Sequence, residues 1–167
     1  MKVLLAPDGF KGCLDARAVC AHLAEGIRSA LPEVELVELP LADGGEGTTE
    51  TLIAAAGGRL ERRQVSGPLG EPSEAAFGVL PDGRGVVEVA AASGYALLRP
   101  EQRDPRRTTS YGTGELLRAA HEAGCRELIV GLGGSATNDA GAGIAQALGV
   151  RLLDAAGAEL PRGGAAL

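Results

Sequence analysis

The sequence predicts an α/β fold in which a parallel sheet is followed by a mixed sheet. Three observations support this prediction. Strand-like and helix-like segments alternate over residues 1–58, short extended runs joined by Pro/Gly turns fill residues 60–91, and the alternation returns after residue 113. Strands that alternate with helices are typical of parallel pairing, whereas brief turns between strands indicate antiparallel pairing.

Four elements are predicted in the first 58 residues. An apolar run predicts a buried strand over 2–6, and apolar residues spaced four apart predict a helix over 15–31 that Pro32 ends. Alternating apolar and acidic residues predict a second strand over 34–41. A second helix is expected over 48–56, because two glycines follow it as a stop signal.

The rest of the chain is expected to form a short meander and then a second α/β stretch. Three extended runs occupy residues 60–67, 73–80 and 85–91. Helix, strand, helix and strand are then predicted over 113–123, 126–132, 139–149 and 150–153. The pattern changes near residues 58–64, where we place a boundary. A sheet with so few strands is expected to be incomplete, so we expect a fragment of a longer protein.

Composition argues against several classes of function. The formal net charge of −6 would not attract a polyanion, and aromatic residues make up only 2% of the 167 residues, so nucleic acid is not expected as a partner. No apolar stretch has the length of a membrane span or a signal peptide. The three cysteines lack metal or disulfide spacing, so we expect buried or half-buried thiols. We therefore expect a cytoplasmic protein with no membrane partner; whether it forms a homo-oligomer is left open.

Residues 131–143, GLGGSATNDAGAG, form the strongest functional signal. They lie between an apolar strand-like run and a helix-like segment. Unpaired N–H groups at a helix start, together with the helix dipole, favour phosphate or carboxylate. Glycines let the backbone approach an anion closely, and the polar side chains that follow add oxygens that cap the helix or hold a metal. We therefore expect a phosphorylated ligand at this loop.

The same loop also supports a second hypothesis. Gly131 to Ala136 fits the relaxed G-x-G-x-x-G/A dinucleotide fingerprint, and Asp154 lies about twenty residues downstream. A nicotinamide-dependent oxidoreductase is therefore an alternative, although the glycine pattern is short and leaves the N-terminal loops unexplained. His22 and His121 have no Ser or Cys partner in sequence, which argues against a histidine-based hydrolase.

Two further loops follow the first two predicted strands, at the edge of a parallel sheet where ligands bind. Asp8 and Lys11 lie in the first loop, and Lys11 is one of only two lysines among 16 basic residues. Asp43 and Glu46 lie three residues apart in the second loop, and such carboxylates can hold Mg²⁺ or accept a proton from a hydroxyl. Each loop alone also fits an ordinary turn, so their convergence is what favours a site.

The segment Arg103–Gly114 combines three arginines with several hydroxyl groups before a predicted helix. Guanidinium groups suit carboxylate and phosphate oxygens. Binding of an anionic substrate is one interpretation, and a solvated basic loop is the other.

Five segments together resemble the bacterial-type glycerate kinase family. They are APDGFKGCL (6–14), LPLADGGEGT (39–48), VEVAAASGY (87–95), RDPRRTTSYGTGELL (103–117) and GLGGSATNDAGAGIAQALG (131–149). The resemblance runs from Lys2 to the last residue. It implies a kinase that transfers the γ-phosphoryl group of ATP to D-glycerate with Mg²⁺, and it favours the 2-hydroxyl as the acceptor.

The resemblance also implies an architecture. Family proteins are about twice as long and have two α/β domains, one flavodoxin-like and one with a mixed sheet, with the active site in the cleft. Residues 1–62 would begin the flavodoxin-like domain, and residues 63–167 would be the N-terminal part of the mixed-sheet domain. An inactive truncated fragment is therefore a third hypothesis.

The sequence departs from the family pattern at three positions. Family members usually have Ser at the position of Gly9, so a hydroxyl contact is lost there. They often have Ser at the position of Cys13 and Gly at that of Ala140. Because Ala140 is small and lies within the predicted helix start, we expect it to be tolerated.

Phosphoryl transfer needs positioning, charge neutralisation and a group that orients or deprotonates the attacking hydroxyl. By the resemblance, the catalytic residues would be Lys11, Asp43 and Asp139. The substrate would be bound by Asp8, Gly44, Gly45 and Arg107, with Arg107 on its carboxylate. The transferring phosphates would lie against Gly133, Gly134, Ser135, Thr137 and Asn138. The metal ligands would be Asp43, Glu46 and Asp139, with the roles of Asp43 and Asp139 open to exchange.

Overall fold

The computed structural model describes all 167 residues, and the chain forms two compact units, residues 1–43 and 44–167. The predicted α/β class is confirmed, since each unit combines helices with a sheet that contains parallel strands. None of the helices combines the length and apolarity that crossing a bilayer requires. The domain boundary near residue 62 stays a prediction.

Unit 1, residues 1–43, is a strand–helix–strand element. It contains β1 (Lys2–Leu5), α1 (Ala16–Ala30) and β2 (Glu35–Glu38). β1 and β2 pair in parallel over their whole length, as predicted. α1 starts after Asp15, whose carboxylate accepts the N–H of Ala18 at 2.8 Å and so caps the helix. The core of the unit is small and consists of Leu5, Cys20 and Ala24, with Val3, Ile27 and Leu36 packed against it.

Unit 2, residues 44–167, is built on a four-stranded mixed sheet. Its elements are α2 (Thr48–Ala56), β3 (Arg59–Ser66), β4 (Pro72–Val79), β5 (Gly85–Glu88), α3 (Val89–Ser93), α4 (Tyr111–Glu122), β6 (Leu128–Gly131) and α5 (Ala142–Ala147). Short 3₁₀ turns lie at Tyr95–Leu97, Pro100–Gln102 and Gly164–Ala166. The strand order is β3-β4-β5-β6, with β3, β4 and β5 antiparallel and β5 and β6 parallel. The predicted meander and mixed sheet are thereby confirmed.

Helices cover both faces of this sheet, because successive side chains of a strand point to opposite faces. Phe77 of β4 is fully buried and belongs to the same apolar cluster as Leu116 of α4. The next residue, Gly78, points the other way. A Cβ atom there would lie 2.9 Å from Thr49 and 3.1 Å from Ile53, both in α2. Glycine at this position therefore lets α2 pack directly onto the strand.

The parallel pair β5 and β6 positions the candidate site. Glu88, the last residue of β5, lies opposite Gly131, the last residue of β6. The segments that follow the two strands, 89–95 and 132–141, therefore leave the sheet at the same edge. This edge is where open sheets with parallel strands bind their ligands.

Two predicted strands differ from the structure. The extended run expected over 85–91 is divided, because residues 89–93 form α3 directly after β5. Alanine favours helix over strand, and this segment is rich in alanine. Residues 150–153 do not form a strand; their pairing is limited to one isolated bridge between Leu153 and Glu159.

The helix predicted over 139–149 is also shorter, since α5 covers only Ala142–Ala147. Ala140 and Gly141 have φ angles of +49° and +75°, which the right-handed helix does not allow. Ala140 therefore lies outside the helix and not in its start, contrary to the prediction. Cys13 is exposed and not buried, because it lies in the turn before α1.

Candidate active site

The loop after β6 contacts residues 44–45 through close backbone approach. The N–H of Gly133 donates to the carbonyl of Gly44 at 2.9 Å. A Cβ atom at Gly131 would overlap the Gly44 carbonyl oxygen, and one at Gly133 would lie 2.7 Å from the Gly45 backbone. Only glycine fits at this distance. Gly44 and Gly45, to which the family resemblance gives a role in substrate binding, are thus in direct contact with the predicted phosphate loop.

The other side of this loop is held by the segments that follow β5 and precede α4. The N–H of Tyr95 donates to the carbonyl of Gly134 at 2.9 Å, and the N–H of Ala136 donates to the carbonyl of Ser93 at 3.0 Å. The hydroxyl of Thr108 donates to the carbonyl of Ala136 at 2.8 Å. The loop is therefore fixed in place before any ligand binds.

The tip of the loop leaves donors available for a ligand. Gly134 and Ser135 are exposed, and their N–H groups donate to no acceptor within the protein. The hydroxyls of Ser135 and Thr137 lie 3.0 Å apart, and Asn138 is exposed beside them. Exposed backbone N–H groups next to hydroxyls are the donors that bind phosphate oxygens in proteins.

The dinucleotide alternative loses its structural basis here. The fingerprint requires a helix that opens at its third glycine or alanine, which is Ala136 in this chain. The helix begins only at Ala142. Asp154, the acidic residue about twenty positions downstream, lies in an exposed turn, where its carboxylate accepts the N–H groups of Ala156 and Ala158.

Asp139 lies beneath the tip and is only 1% exposed. Its Oδ2 atom accepts the N–H and the hydroxyl of Ser110 at 2.8 and 3.0 Å, the hydroxyl of Thr109 at 3.4 Å and the N–H of Gly143 at 3.2 Å. Its Oδ1 atom accepts the N–H of Gly141 at 3.2 Å. Asp139 therefore ties the start of α4 to the start of α5. Its catalytic and metal-binding roles stay predictions.

The guanidinium group of Arg107 forms no salt bridge. Its side chain is exposed and makes no hydrogen bond, whereas Arg106 is paired with Asp104 at 2.8 Å. The backbone of this segment lies close to the loop, because Gly164 packs between Asn138 and Pro105 and the adjacent Gly163 packs against Arg106 and Arg107. A Cβ atom at Gly164 would lie 2.5 Å from the Asn138 carbonyl oxygen. Arg107 is thus available to an anionic ligand.

The first predicted loop lies in unit 1 and is a preformed turn. The N–H of Phe10 donates to the carbonyl of Leu14 at 2.8 Å, and the Asp8 carboxylate accepts the N–H of Gly9 at 2.7 Å. Asp8 and Lys11 are exposed, and the Lys11 ammonium group has no acidic partner. Both charged groups are therefore accessible to a ligand.

The acidic residues of the second loop are exposed, both at Asp43 and at Glu46. A Cβ atom at Gly134 would lie 3.8 Å from Cγ of Glu46, so this glutamate lies beside the loop tip. The structure contains no group of three or more His, Cys, Asp or Glu side chains arranged to hold a metal. Mg²⁺ in nucleotide sites typically takes one or two carboxylates from the protein and completes its shell with phosphates and water. Glu46 fits that requirement.

One buried acid at this edge was not predicted. Glu88 is 5% exposed, and its carboxylate accepts the N–H of Thr49 in the first turn of α2. Burial raises the pKa of the Glu88 carboxyl, the N–H groups of Thr49 and Gly47 oppose the rise, and the charge of Glu50 adds to it. The signal in the sequence is a single glutamate within the apolar run GVVEVAAA, where a buried strand is expected to be apolar.

Comparison with known proteins identifies the relatives of this chain. The model of the Glycerate kinase family matches residues 3–167. The chain is 51% identical to the glycerate kinase of Bacillus subtilis strain 168 and 49% identical to the glycerate 2-kinase of Escherichia coli K12; both alignments cover 100% of this chain and 44% of the relative.

A solved structure agrees with these matches. A crystal structure from Salmonella typhimurium LT2, whose protein is described as a glycerate kinase 2, matches this chain with a TM-score of 0.80 and 48% identity. The match covers 98% of this chain and 44% of that one. This chain therefore spans less than half the length of the relatives it matches. The matched family model, the sequence identities and the shared fold agree, and the chain belongs to the glycerate kinase family.

Proposed function

We propose that this chain is the part of an ATP-dependent glycerate kinase that holds the transferring phosphates and the glycerate. The observation that supports this most is the loop tip at residues 134–138, with its unused N–H groups and exposed hydroxyls at the carboxyl ends of β5 and β6. Membership of the family supports the choice of reaction, because the relatives are named glycerate kinase and glycerate 2-kinase.

Several of the predicted residues have a specific role in this proposal, in which Gly44 and Gly45 contact the glycerate. The N–H groups of Gly134 and Ser135 and the hydroxyls of Ser135 and Thr137 donate to phosphate oxygens and stabilise the charge that develops during transfer. Lys11 neutralises phosphate charge, and Arg107 binds the glycerate carboxylate in the planar, two-bond manner of guanidinium groups. Asp43 orients the 2-hydroxyl of glycerate and accepts its proton.

ATP supplies the phosphoryl group, and Mg²⁺ neutralises phosphate charge when both are bound. Glu46 would hold the ion together with the phosphates, because its exposed carboxylate lies beside the loop tip. We expect the protein to act in the cytoplasm on this small molecule, with neither nucleic acid nor a membrane as a partner.

The proposal is tested with a coupled ADP-release assay. The 167-residue chain is compared with a completed chain, in which the remaining C-terminal part of the B. subtilis relative follows Leu167. The completed chain is expected to release ADP in a saturable manner that requires D-glycerate and Mg²⁺, with 2-phosphoglycerate identified by ³¹P NMR. Release of a different phosphoglycerate would refute the 2-position but not the kinase.

Variants of the completed chain test the individual roles. Ser135→Ala is expected to raise the KM for ATP, because one phosphate donor is lost, whereas Ser29→Ala on the exposed end of α1 serves as the matched control. Asp43→Ala is expected to reduce kcat by more than about tenfold, in line with the loss of a proton acceptor. Turnover within tenfold of the parent would show that the role given to Asp43 is wrong.

A further inference from the structure

Glu88 is a charged residue in a place where an apolar residue would be expected. It is 5% exposed, and its partner is the backbone N–H of Thr49 and not a basic side chain. Burial of a carboxylate without a cation costs free energy, so a residue such as valine would pack here at lower cost. Core packing therefore does not explain a glutamate at the end of β5.

The contact of Glu88 fixes the start of α2. The helix has no side-chain cap of its own, because its N-cap residue is Gly47, with a φ angle of +88°. Glu88 accepts the first-turn N–H instead, from a strand that lies 39 residues further along the chain. The hydroxyl of Thr48 donates to the carbonyl of Gly45 at 2.7 Å. The bond to Glu88 thus also anchors the segment that precedes the helix.

The same segment is anchored a second time on the other side. Gly44 accepts the N–H of Gly133 at 2.9 Å, and Gly131 and Gly133 allow the backbones to touch. Gly131 is the register partner of Glu88 in the sheet. A closed path therefore runs from β5 through Glu88 to α2, from α2 to residues 44–45, and from there through the glycine loop back to β6.

We propose that Glu88 is a positioning residue that sets the distance between the 44–47 segment and the phosphate loop. This inference rests on the proposed function, in which the first segment serves the glycerate and the metal and the second holds the phosphates. Glu88 itself is buried, so this proposal gives it no contact with either ligand. Its effect on the reaction is exerted through Thr49 and residues 44–45.

The test uses two substitutions and a matched control. Glu88→Ala removes the acceptor for Thr49, whereas Glu88→Gln keeps a carbonyl oxygen in its place. Glu115→Gln is the control, because the Glu115 carboxylate also accepts a backbone N–H, that of Ser66 at 2.6 Å, but forms no hydrogen bond with either loop segment. Kinetics are measured on the completed chain well below the melting temperature of each variant, and amide hydrogen exchange is measured on the 167-residue chain.

Positioning predicts a graded result. Glu88→Ala is expected to lower kcat by about tenfold to a hundredfold, the effect of misplacing reacting groups, with a smaller change in the KM for ATP. Glu88→Gln is expected to retain most of the activity, and Glu115→Gln to match the parent. The exchange of the Gly133 N–H is expected to become at least about tenfold faster in Glu88→Ala and to be unchanged in Glu115→Gln.

Two results would overturn the inference. The first is a Glu88→Ala variant with a lower melting temperature but parental kcat and parental Gly133 exchange, which would make Glu88 a stability residue only. The second is a Glu88→Gln variant that is as inactive as Glu88→Ala and loses a limb of the pH–rate profile, which would indicate direct proton transfer. If the completed parent releases no ADP with D-glycerate, the proposed function fails, whereas the exchange experiment still decides whether Glu88 couples the two segments.

Discussion

Replacement of Asp139 by alanine is expected to destabilise unit 2 strongly. The Asp139 carboxylate accepts hydrogen bonds from three N–H groups and two hydroxyls, and the substitution leaves all five donors without this acceptor. Asp139 is only 1% exposed, so water does not readily replace it. Two of these contacts, both from Ser110, are 3.0 Å or shorter. A hydrogen bond to a charged group contributes about 1.5–3 kcal/mol, so the two short contacts alone predict a loss of about 3–6 kcal/mol. That is a large share of the roughly 5–15 kcal/mol that stabilises a typical domain.

Asp139→Asn keeps the shape of the side chain and removes its charge, so it separates the two contributions to stability. A carbonyl oxygen at the Oδ2 position keeps the acceptor for Ser110, Thr109 and Gly143, while the amide group faces only the N–H of Gly141. We expect a loss of about 1–2 kcal/mol, smaller than that of alanine. Asp154→Ala is the surface control, because its two backbone donors lie in an exposed turn where water replaces the carboxylate, and about 0.5 kcal/mol is expected.

The assay is urea unfolding followed by far-UV circular dichroism at pH 7, since the chain contains no tryptophan. The three free energies of unfolding are compared with the parent at matched m-values. A loss below about 1 kcal/mol for Asp139→Ala, or a loss equal to that of Asp154→Ala, would refute the reasoning that these buried donors depend on one carboxylate.

Three further predictions are tested by substitution, one of them with a matched control. Ala140→Gly is expected to stabilise the chain by about 1 kcal/mol in the same urea assay, because Ala140 is the only residue other than glycine with a positive φ; destabilisation would contradict this. Gly133→Ala is expected to destabilise the chain by about 1–3 kcal/mol, because its Cβ would lie 2.7 Å from the Gly45 backbone. The control Gly26→Ala, whose Cβ would meet nothing within 4 Å in α1, is expected to stabilise the chain by about 0.5–1 kcal/mol. Changes of the same sign in the free energy of unfolding of the two variants would be inconsistent with the close contact at Gly133. Glu88→Gln is expected to gain stability relative to the parent as the pH rises from about 4.5 to 8. The raised pKa of Glu88 favours folding of the parent at low pH, and this contribution is lost as the pH rises through the folded-state pKa. A difference in the free energy of unfolding between variant and parent that stays constant with pH would contradict this prediction.

Periodicity in the sequence predicted the elements whose causes are local. α1 follows from its spaced apolar residues and its Asp15 cap, and the mixed sheet follows from the turn residues between β3, β4 and β5. The glycine loop between β6 and α5 also lies where the sequence places it. Each of these features depends on neighbours within a few positions along the chain.

Features that depend on distant partners could not be predicted in this way. α5 begins late because Asp139 bonds to Ser110, 29 residues away, and holds the intervening turn at positive φ. Glu88 could be noticed as an acid within an apolar run, but its partner Thr49 lies 39 residues away. The contact between Gly44 and Gly133 likewise joins two motifs that the sequence presents only as separate turns.

The central claim is that the loop tip at residues 134–138 serves phosphoryl transfer to glycerate. The most direct test is ADP release by the completed chain with ATP, Mg²⁺ and D-glycerate, together with identification of the product by ³¹P NMR. The account predicts saturable release that depends on D-glycerate, yields 2-phosphoglycerate and is weakened by Ser135→Ala but not by Ser29→Ala. A folded completed chain that releases no ADP, or releases it equally without D-glycerate, would contradict the account.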